Sequence, residues 1–350
     1  MRAEMSEKER DNEKPVVSVV TPCYNGEEHG MLHEYFNGLL KQNYENVELI
    51  FINDGSTDNT ERIYFEYEPK LESKFHKCKY TRFEENQGYI AGINTGMEQV
   101  TGEYVSLMDS DDIMLPHKIE SHVDFLEDNE EYGMVYSDGY VVKKNDLNNP
   151  LRRFYDDKDT PSGELYEDIL LQKAWMPAGS YCFRRECLET IPKLKDKFES
   201  RGNNLQILCS IAYHYKIGYN DVEPVMKYVV RPDSLSHQMN LDNLRFRTFV
   251  RKNLDYYIID KFGVSEEVKN KIDAKYKKRE VLFYFLKGEG RELRASYDEL
   301  KKLYDAGINE MVSKAEMWSA SLMYGISFFP GICELISQPI MKTEFIEKLF

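Results

Sequence analysis

The sequence predicts an α/β protein, a mostly parallel, doubly wound sheet followed by a helical C-terminal region. Short apolar runs rich in β-branched residues alternate with stretches of helical period over the first 110 or so residues, and each run ends in a polar loop. Beyond about residue 240 the strand pattern stops, and apolar residues such as Leu293, Tyr297, Leu300 and Tyr304 recur at helical intervals.

Residues 1–14 carry nine charged side chains and no apolar segment of the kind a secretory signal needs, so they read as a solvated, disordered tail. Val16–Thr21 then reads as a buried strand ended by Pro22, and Leu32, Tyr35, Phe36, Leu39 and Leu40 mark one face of a helix. A second strand, Val47–Ile52, runs into Asn53-Asp54-Gly55-Ser56-Thr57-Asp58, where Gly55 supplies turn freedom and Ser56 or Thr57 can cap the next helix. A strand near Lys79–Phe83, a helix over Tyr89–Val100 and a strand over Tyr104–Met108 complete a β-α-β-α-β-α-β order. Val135–Val142 reads as one further strand, holding Asp138. These assignments place an α/β domain over 15–240 and a helical region over 241–350.

In doubly wound sheets ligands lie across the carboxyl ends of the strands. Pro22–Asn25, Asp54–Asp58 and Asp109–Asp112 all fall at such ends. The last of these loops packs three carboxylates, Asp109, Asp111 and Asp112, into four positions, and like charges that close need a cation or a set of donors. A divalent metal is therefore expected. Asp54 and Asp58 also fit ordinary turn and cap chemistry.

A net charge of −15 excludes general nucleic-acid binding, which requires a basic footprint. The six cysteines show neither a CxxC pair nor metal-ligand spacing, which points to buried thiols in a reducing, cytoplasmic compartment. Residues 245–302 nevertheless hold 16 basic against 10 acidic residues. This excess fits a solvated helical surface, or peripheral contact of 245–350 with the inner face of the cell membrane. The uncharged stretch Met317–Cys333 reads as buried helices and is short for a bilayer span.

Four segments in this order, Val19-Val20-Thr21-Pro22-Cys23-Tyr24-Asn25, Ile52-Asn53-Asp54-Gly55-Ser56-Thr57-Asp58, Glu85-Asn86-Gln87-Gly88 and Leu107-Met108-Asp109-Ser110-Asp111-Asp112, resemble family 2 glycosyltransferases. The resemblance implies the GT-A fold and transfer of a sugar, with inversion, from a nucleotide donor, here a UDP-sugar, to a glycan or lipid-linked glycan acceptor. By the same resemblance, capsule or O-antigen polysaccharide synthesis is the expected setting. It also implies that Pro22, Tyr24 and Asn25 line the nucleoside pocket, that Asp54 accepts from the base, and that Asn86 and Gly88 approach the nucleotide. Asp109 would contact the ribose or the metal, Asp111 would bind Mn2+ or Mg2+, and His237 would complete the metal shell.

On the acceptor side Trp175-Met176-Pro177-Ala178-Gly179-Ser180 resembles the corresponding family segment, although a tryptophan among so many aromatics reads first as core. Two departures stand out. Where relatives commonly carry a Glu-Asp pair whose Asp is the catalytic base, this chain reads Glu199-Ser200-Arg201-Gly202-Asn203-Asn204-Leu205-Gln206, and an amide cannot take a proton. Glu199 is the expected base, with Asn204 and Gln206 orienting the substrates and Asp138 and Asp196 as reserve carboxylates. Ile93 stands where many relatives place an arginine near the diphosphate. The alternatives are a nucleotidyltransferase, which the acceptor-side segment fits poorly, and a non-catalytic nucleotide-sugar-binding scaffold.

Overall fold

The computed structural model describes residues 14–156, 159–195, 203–230, 241–308 and 312–328. It divides into two compact units, Met1–Ile169 with Ala174–Pro232, and Leu170–Lys173 with Asp233–Phe350.

In the first unit the chain forms β1 (Val17–Cys23), α1 (Gly26–His29), α2 (Leu32–Leu40), β2 (Val47–Asn53), α3 (Thr60–Lys74), β3 (Lys77–Arg82), α4 (Tyr89–Glu98) and β4 (Tyr104–Leu107). There follow β5 (Ile113–Met114), α5 (Lys118–Asp128), β6 (Tyr132–Tyr136), β7 (Tyr140–Lys143), β8 (Arg152–Arg153), α6 (Tyr166–Leu170), β9 (Tyr181–Arg184), α7 (Asn203–His214), β10 (Lys216–Tyr219) and β11 (Met226–Val230). The seven-stranded sheet has the order β10-β6-β9-β4-β1-β2-β3, and only β9 runs antiparallel to its neighbours. A second sheet is ordered β5-β11-β7-β8.

β1 and β2 are buried along their whole length, because helices cover both faces of a parallel sheet. Helix α2 contributes Leu32, Tyr35, Phe36 and Leu39 to that core. Helix α4 lies close over β1 because two of its inward residues are glycines. A Cβ at Gly96 would stand 2.3 Å from Val20 Cγ1, and one at Gly92 would stand 2.9 Å from Pro22 Cβ.

Pro22 does not end β1, as the sequence had predicted, but pairs with Ile52 inside it. The backbone explains the tolerance. Val20 O accepts from Met108 N and Cys23 O from Asp54 N, so alternate residues face β4 and β2, and residue 22 faces the β4 side. Pairing with β4 stops at Val20–Leu107, so the missing Pro22 N–H is not required there.

The expected strand over Val135–Val142 is two strands in different sheets. Asp138 makes the break, its carboxylate accepting from the amides of Gly139 (2.7 Å) and Phe154 (3.0 Å) and from Arg153 Nε (2.7 Å).

The second unit contains α8 (Leu241–Arg245), a π-helical turn (Phe246–Val250), α9 (Arg251–Phe262), α10 (Glu266–Lys287), α11 (Gly290–Asp305) and α12 (Lys314–Ile326). Its core gathers Val281, Phe285, Leu293, Leu300, Val312 and Met323. Ser313 and Glu316 form a reciprocal capping box at the start of α12. In the described part of the uncharged run expected to be buried, 317–328, Met317, Ala320 and Met323 are buried, whereas Trp318, Leu322 and Phe328 are exposed; 329–333 lie outside the described residues. Among the described residues no helix is long and apolar enough to cross a membrane.

One buried charge fastens the sheet. Glu48, fully buried in β2, accepts from Ser18 Oγ (2.6 Å), Thr101 N (2.9 Å) and Thr101 Oγ1 (2.8 Å) and pairs with Lys79 Nζ (2.7 Å). Burial alone would raise its pKa, but these donors outweigh it and hold the carboxyl at about 2. Glu48→Gln is expected to cost about 2–4 kcal/mol at pH 7, measured by urea unfolding. The depressed pKa makes that stabilisation fully present above the ordinary value of 4.5, so the difference between wild type and variant should shrink as pH falls from 4.5 towards 2.

Candidate active site

β2 and β3 lie on one side of β1 and β4 on the other, so the strand order reverses at β1. The carboxyl ends at such a reversal border the crevice where open α/β sheets bind ligands. The loops after β1, β2 and β4 meet there.

Asn25, in left-handed backbone conformation (φ 47°, ψ 48°), joins the first two loops. Its amide N donates to Ser56 Oγ (3.0 Å), its Oδ1 accepts from Thr57 N (2.9 Å), and its Nδ2 donates to Glu28 Oε2 (3.2 Å). Asn25 thus holds the crevice wall together. Asp58, and neither Ser56 nor Thr57, receives the amide of Thr60 at the start of α3 (2.9 Å). Burial would raise the Asp58 pKa, but the Thr60 hydroxyl and neighbouring amides hold it low.

Asp54 is 3 % exposed, and its two oxygens accept from Gln87 N (2.7 Å) and Gly88 N (2.9 Å). The carboxylate therefore anchors the loop that carries Asn86 and Gly88. Burial raises its pKa against the pull of the two amides. Gly55 lets the loops touch: its φ is +65°, and a Cβ would fall 2.4 Å from the Glu85 carbonyl carbon. Asn86 Oδ1 accepts from Gly88 N (3.0 Å). Pro22 is buried under α4, whereas Tyr24 is 41 % exposed at the rim.

Tyr89, which the sequence reading passed over, donates its hydroxyl to Asp109 Oδ1 (2.9 Å). It carries the Asp54–Gly88 contact on to the acidic loop, and only its place directly after Gly88 signals it. Asp109, Asp111 and Asp112 present carboxylate oxygens within 4.8 Å of one another. At that spacing two unit charges repel by about 3 kcal/mol at an effective dielectric constant of 20. Burial first, and the charge of Asp111 second, raise the Asp109 pKa to about 6. Asp112 is buried and also accepts from Val229 N in β11 (2.9 Å), which fixes the loop to the second sheet. A compact, all-oxygen, partly buried donor set fits a hard divalent cation.

Trp175 is 49 % exposed, contrary to the core placement expected, and packs edge-to-face on Phe154 (5.8 Å between ring centroids) and Tyr155 (6.3 Å). Asn204 is occupied at both ends of its amide: Nδ2 donates to Met176 O (3.0 Å) and Oδ1 accepts from the Tyr181 hydroxyl. Gln206 likewise pairs with the backbone N (3.1 Å) and O (3.2 Å) of Lys195. Asn204 thus ties Met176 to the Tyr181 side chain, and Gln206 ties α7 to Lys195. Asp138 is held by Arg153 and two amides, which argues against its use as a reserve base. Ile93 is one of the buried residues of α4. Glu199, Asp196 and His237 lie outside the described residues.

A doubly wound sheet with an acidic loop at its switch point defines a GT-A, nucleotide-diphosphosugar-transferase-like fold. Residues 18–191, about half of the chain, match the model of glycosyl transferase family 2, and through this segment the chain belongs to that family. An uncharacterized glycosyltransferase of Rickettsia conorii is 35 % identical over 157 residues, 44 % of this chain and 24 % of that protein. The putative teichuronic acid biosynthesis glycosyltransferase TuaG of Bacillus subtilis is 32 % identical over 160 residues, 45 % of this chain and 58 % of that protein. The chain thus spans less than two thirds of the length of these relatives. The crystal structure of S. aureus TarS 1–349 superposes with a TM-score of 0.59 over 95 % of this chain and 91 % of that one at 17 % identity, a likeness of fold. TarS 1–349 has also been crystallised with UDP-GlcNAc, with a TM-score of 0.58 at 17 % identity, over 95 % of this chain and 92 % of that one.

Asp54→Asn sets an amide donor against the Gln87 and Gly88 N–H groups. It is expected to destabilise the protein by about 1–3 kcal/mol in urea unfolding and to accelerate amide exchange at Gln87 and Gly88.

Proposed function

We propose that the family 2 domain is an inverting glycosyltransferase that moves a sugar from a UDP-sugar to a hydroxyl of a glycan or lipid-linked glycan in surface polysaccharide or glycoconjugate synthesis. The observation that carries this reading is the acidic triad at the sheet's switch point, joined through Tyr89 and Gly88 to Asp54. Asp109 and Asp111, with Asp112 beside them, would hold Mn2+ or Mg2+, which when bound offsets the charge that develops on the diphosphate leaving group. Tyr24 and the Asn86–Gly88 loop border the nucleoside, and Asp54, with acceptor capacity beyond its two amide contacts, receives a donor from the base.

Trp175 presents a ring at the acceptor side, where an aromatic face stacks on a sugar. Glu199 takes the proton from the acceptor hydroxyl, which attacks the anomeric carbon opposite the departing UDP in a single displacement. The setting that fits is cytoplasmic, at the inner face of the membrane. Exposed Trp318, Leu322 and Phe328 together with the basic surplus of 245–302 support peripheral contact there. Sedimentation with anionic vesicles should fall on Trp318→Ser/Leu322→Ser, and an unchanged bound fraction would remove the membrane contact.

UDP released from UDP-sugars with Mn2+ is the direct test of the reaction. Asp111→Ala is expected to lower turnover by about 10²-fold or more, and Glu199→Gln to lower it by a similar factor with UDP affinity unchanged. Undiminished turnover in Asp111→Ala would overturn the metal assignment, and in Glu199→Gln the base. Tight UDP binding with no turnover on any acceptor would instead support the scaffold.

A further inference from the structure

Ser56 is the joint of the crevice wall in the first unit, since its hydroxyl takes the backbone amide of the left-handed Asn25 (3.0 Å). Ser56 is itself held from behind. Its N donates to Asn53 Oδ1 (2.9 Å), and its O accepts from Arg82 Nη2 (3.2 Å). Asn53 and Arg82 are cross-strand partners at the carboxyl ends of β2 and β3.

Tyr80 and Arg82 stand two residues apart on β3 and so share one face of the sheet, the face on which Tyr80 packs against Tyr64 of α3 (4.5 Å between ring centroids). Glu61 lies in the first turn of that helix. Its Oε2 pairs with Arg82 Nη1, its Oε1 accepts from the Tyr80 hydroxyl (3.2 Å), and that hydroxyl accepts from Asn53 Nδ2 (2.7 Å). The bonds close a ring, Arg82–Ser56–Asn53–Tyr80–Glu61, with a cation at its head and an anion at its tail. The side chains of Arg82 and Glu61 are 42 % and 39 % exposed, so as an ion pair they add little to stability. Their effect is geometric: the planar guanidinium fork holds Glu61 and Ser56 O at a fixed angle, which a point-charge ammonium does not.

We propose that Arg82 is a positioning residue for the nucleoside side of the crevice: braced on Glu61, it fixes Ser56 and, through Ser56, the left-handed turn at Asn25, so that the wall stands ready before a nucleotide arrives. The link to a nucleotide rests on the proposed donor site, whereas the bracing of Asn25 does not.

In the full-length protein Arg82→Met is expected to accelerate amide exchange at Asn25, Ser56 and Thr57 by about tenfold or more, because the joint opens locally. The Kd for UDP, measured by calorimetry in saturating Mn2+, should rise by about fivefold or more, since the wall must then be ordered on binding. Affinity for Mn2+ alone should not change, because the acidic loop has its own anchors in Tyr89 and Val229. Tyr80→Phe separates bracing from direct contact with the ligand: it cuts the ring and leaves the guanidinium in place. It should shift exchange and UDP affinity in the same direction, and adding it to Arg82→Met should change little further, because both cut one ring. Unchanged exchange at the three amides in Arg82→Met would overturn the proposal, as would UDP affinity that falls in Arg82→Met but not in Tyr80→Phe, or faster exchange at the parent's UDP affinity. If Arg82→Met does not fold, Tyr80→Phe decides alone. A parent that takes up no UDP with Mn2+ removes the donor-site reading, and the exchange result then decides the bracing by itself.

Discussion

Three carboxylates held within 4.8 Å at the end of a buried strand repel one another, and the arrangement of the first unit can be understood as what it takes to keep them there. β4 is buried along its length and cannot slide, the Asp112 carboxylate is fastened to β11, and Asp109 receives the Tyr89 hydroxyl. Each restraint comes from a different element, so the cluster keeps its spacing. Burial first, and the charge of Asp111 second, raise the Asp109 pKa, and a bound cation would offset both.

Much of this was legible in the sequence, because strand periodicity fixes where loops fall and an acidic cluster is visible wherever it stands. The sheet through β4 and the meeting of three loops follow from β-branched runs alternating with helical ones. What periodicity does not report is how side-chain amides are spent. Asn25, Asn204 and Gln206 have the composition of ligand-binding residues, yet their hydrogen bonds go to Thr57, Glu28, Met176, Tyr181 and Lys195. The split at Asp138 was hidden for a similar reason. An apolar run continues through it, and only the carboxylate's three contacts reveal that the chain changes sheets.

Trp175 shows the opposite failure. Composition favoured the core, but the ring rests edge-on against Phe154 and Tyr155, and those rings come from around β8, distant in sequence and invisible to a local pattern. Gln172, in left-handed backbone conformation (φ +62°), likewise leaves no mark in the sequence.

The unequal pairing of β1 has a geometric result. Its hydrogen bonding to β2 runs on to Cys23–Asn53, whereas that to β4 ends at Val20–Leu107, three residues sooner. At 3.3 Å per residue β1 therefore runs on for about 10 Å beyond its last pairing with β4, beside the acidic loop. Pro22, buried under α4, has no N–H to offer on that side, so the β1–β4 ladder cannot be extended through it.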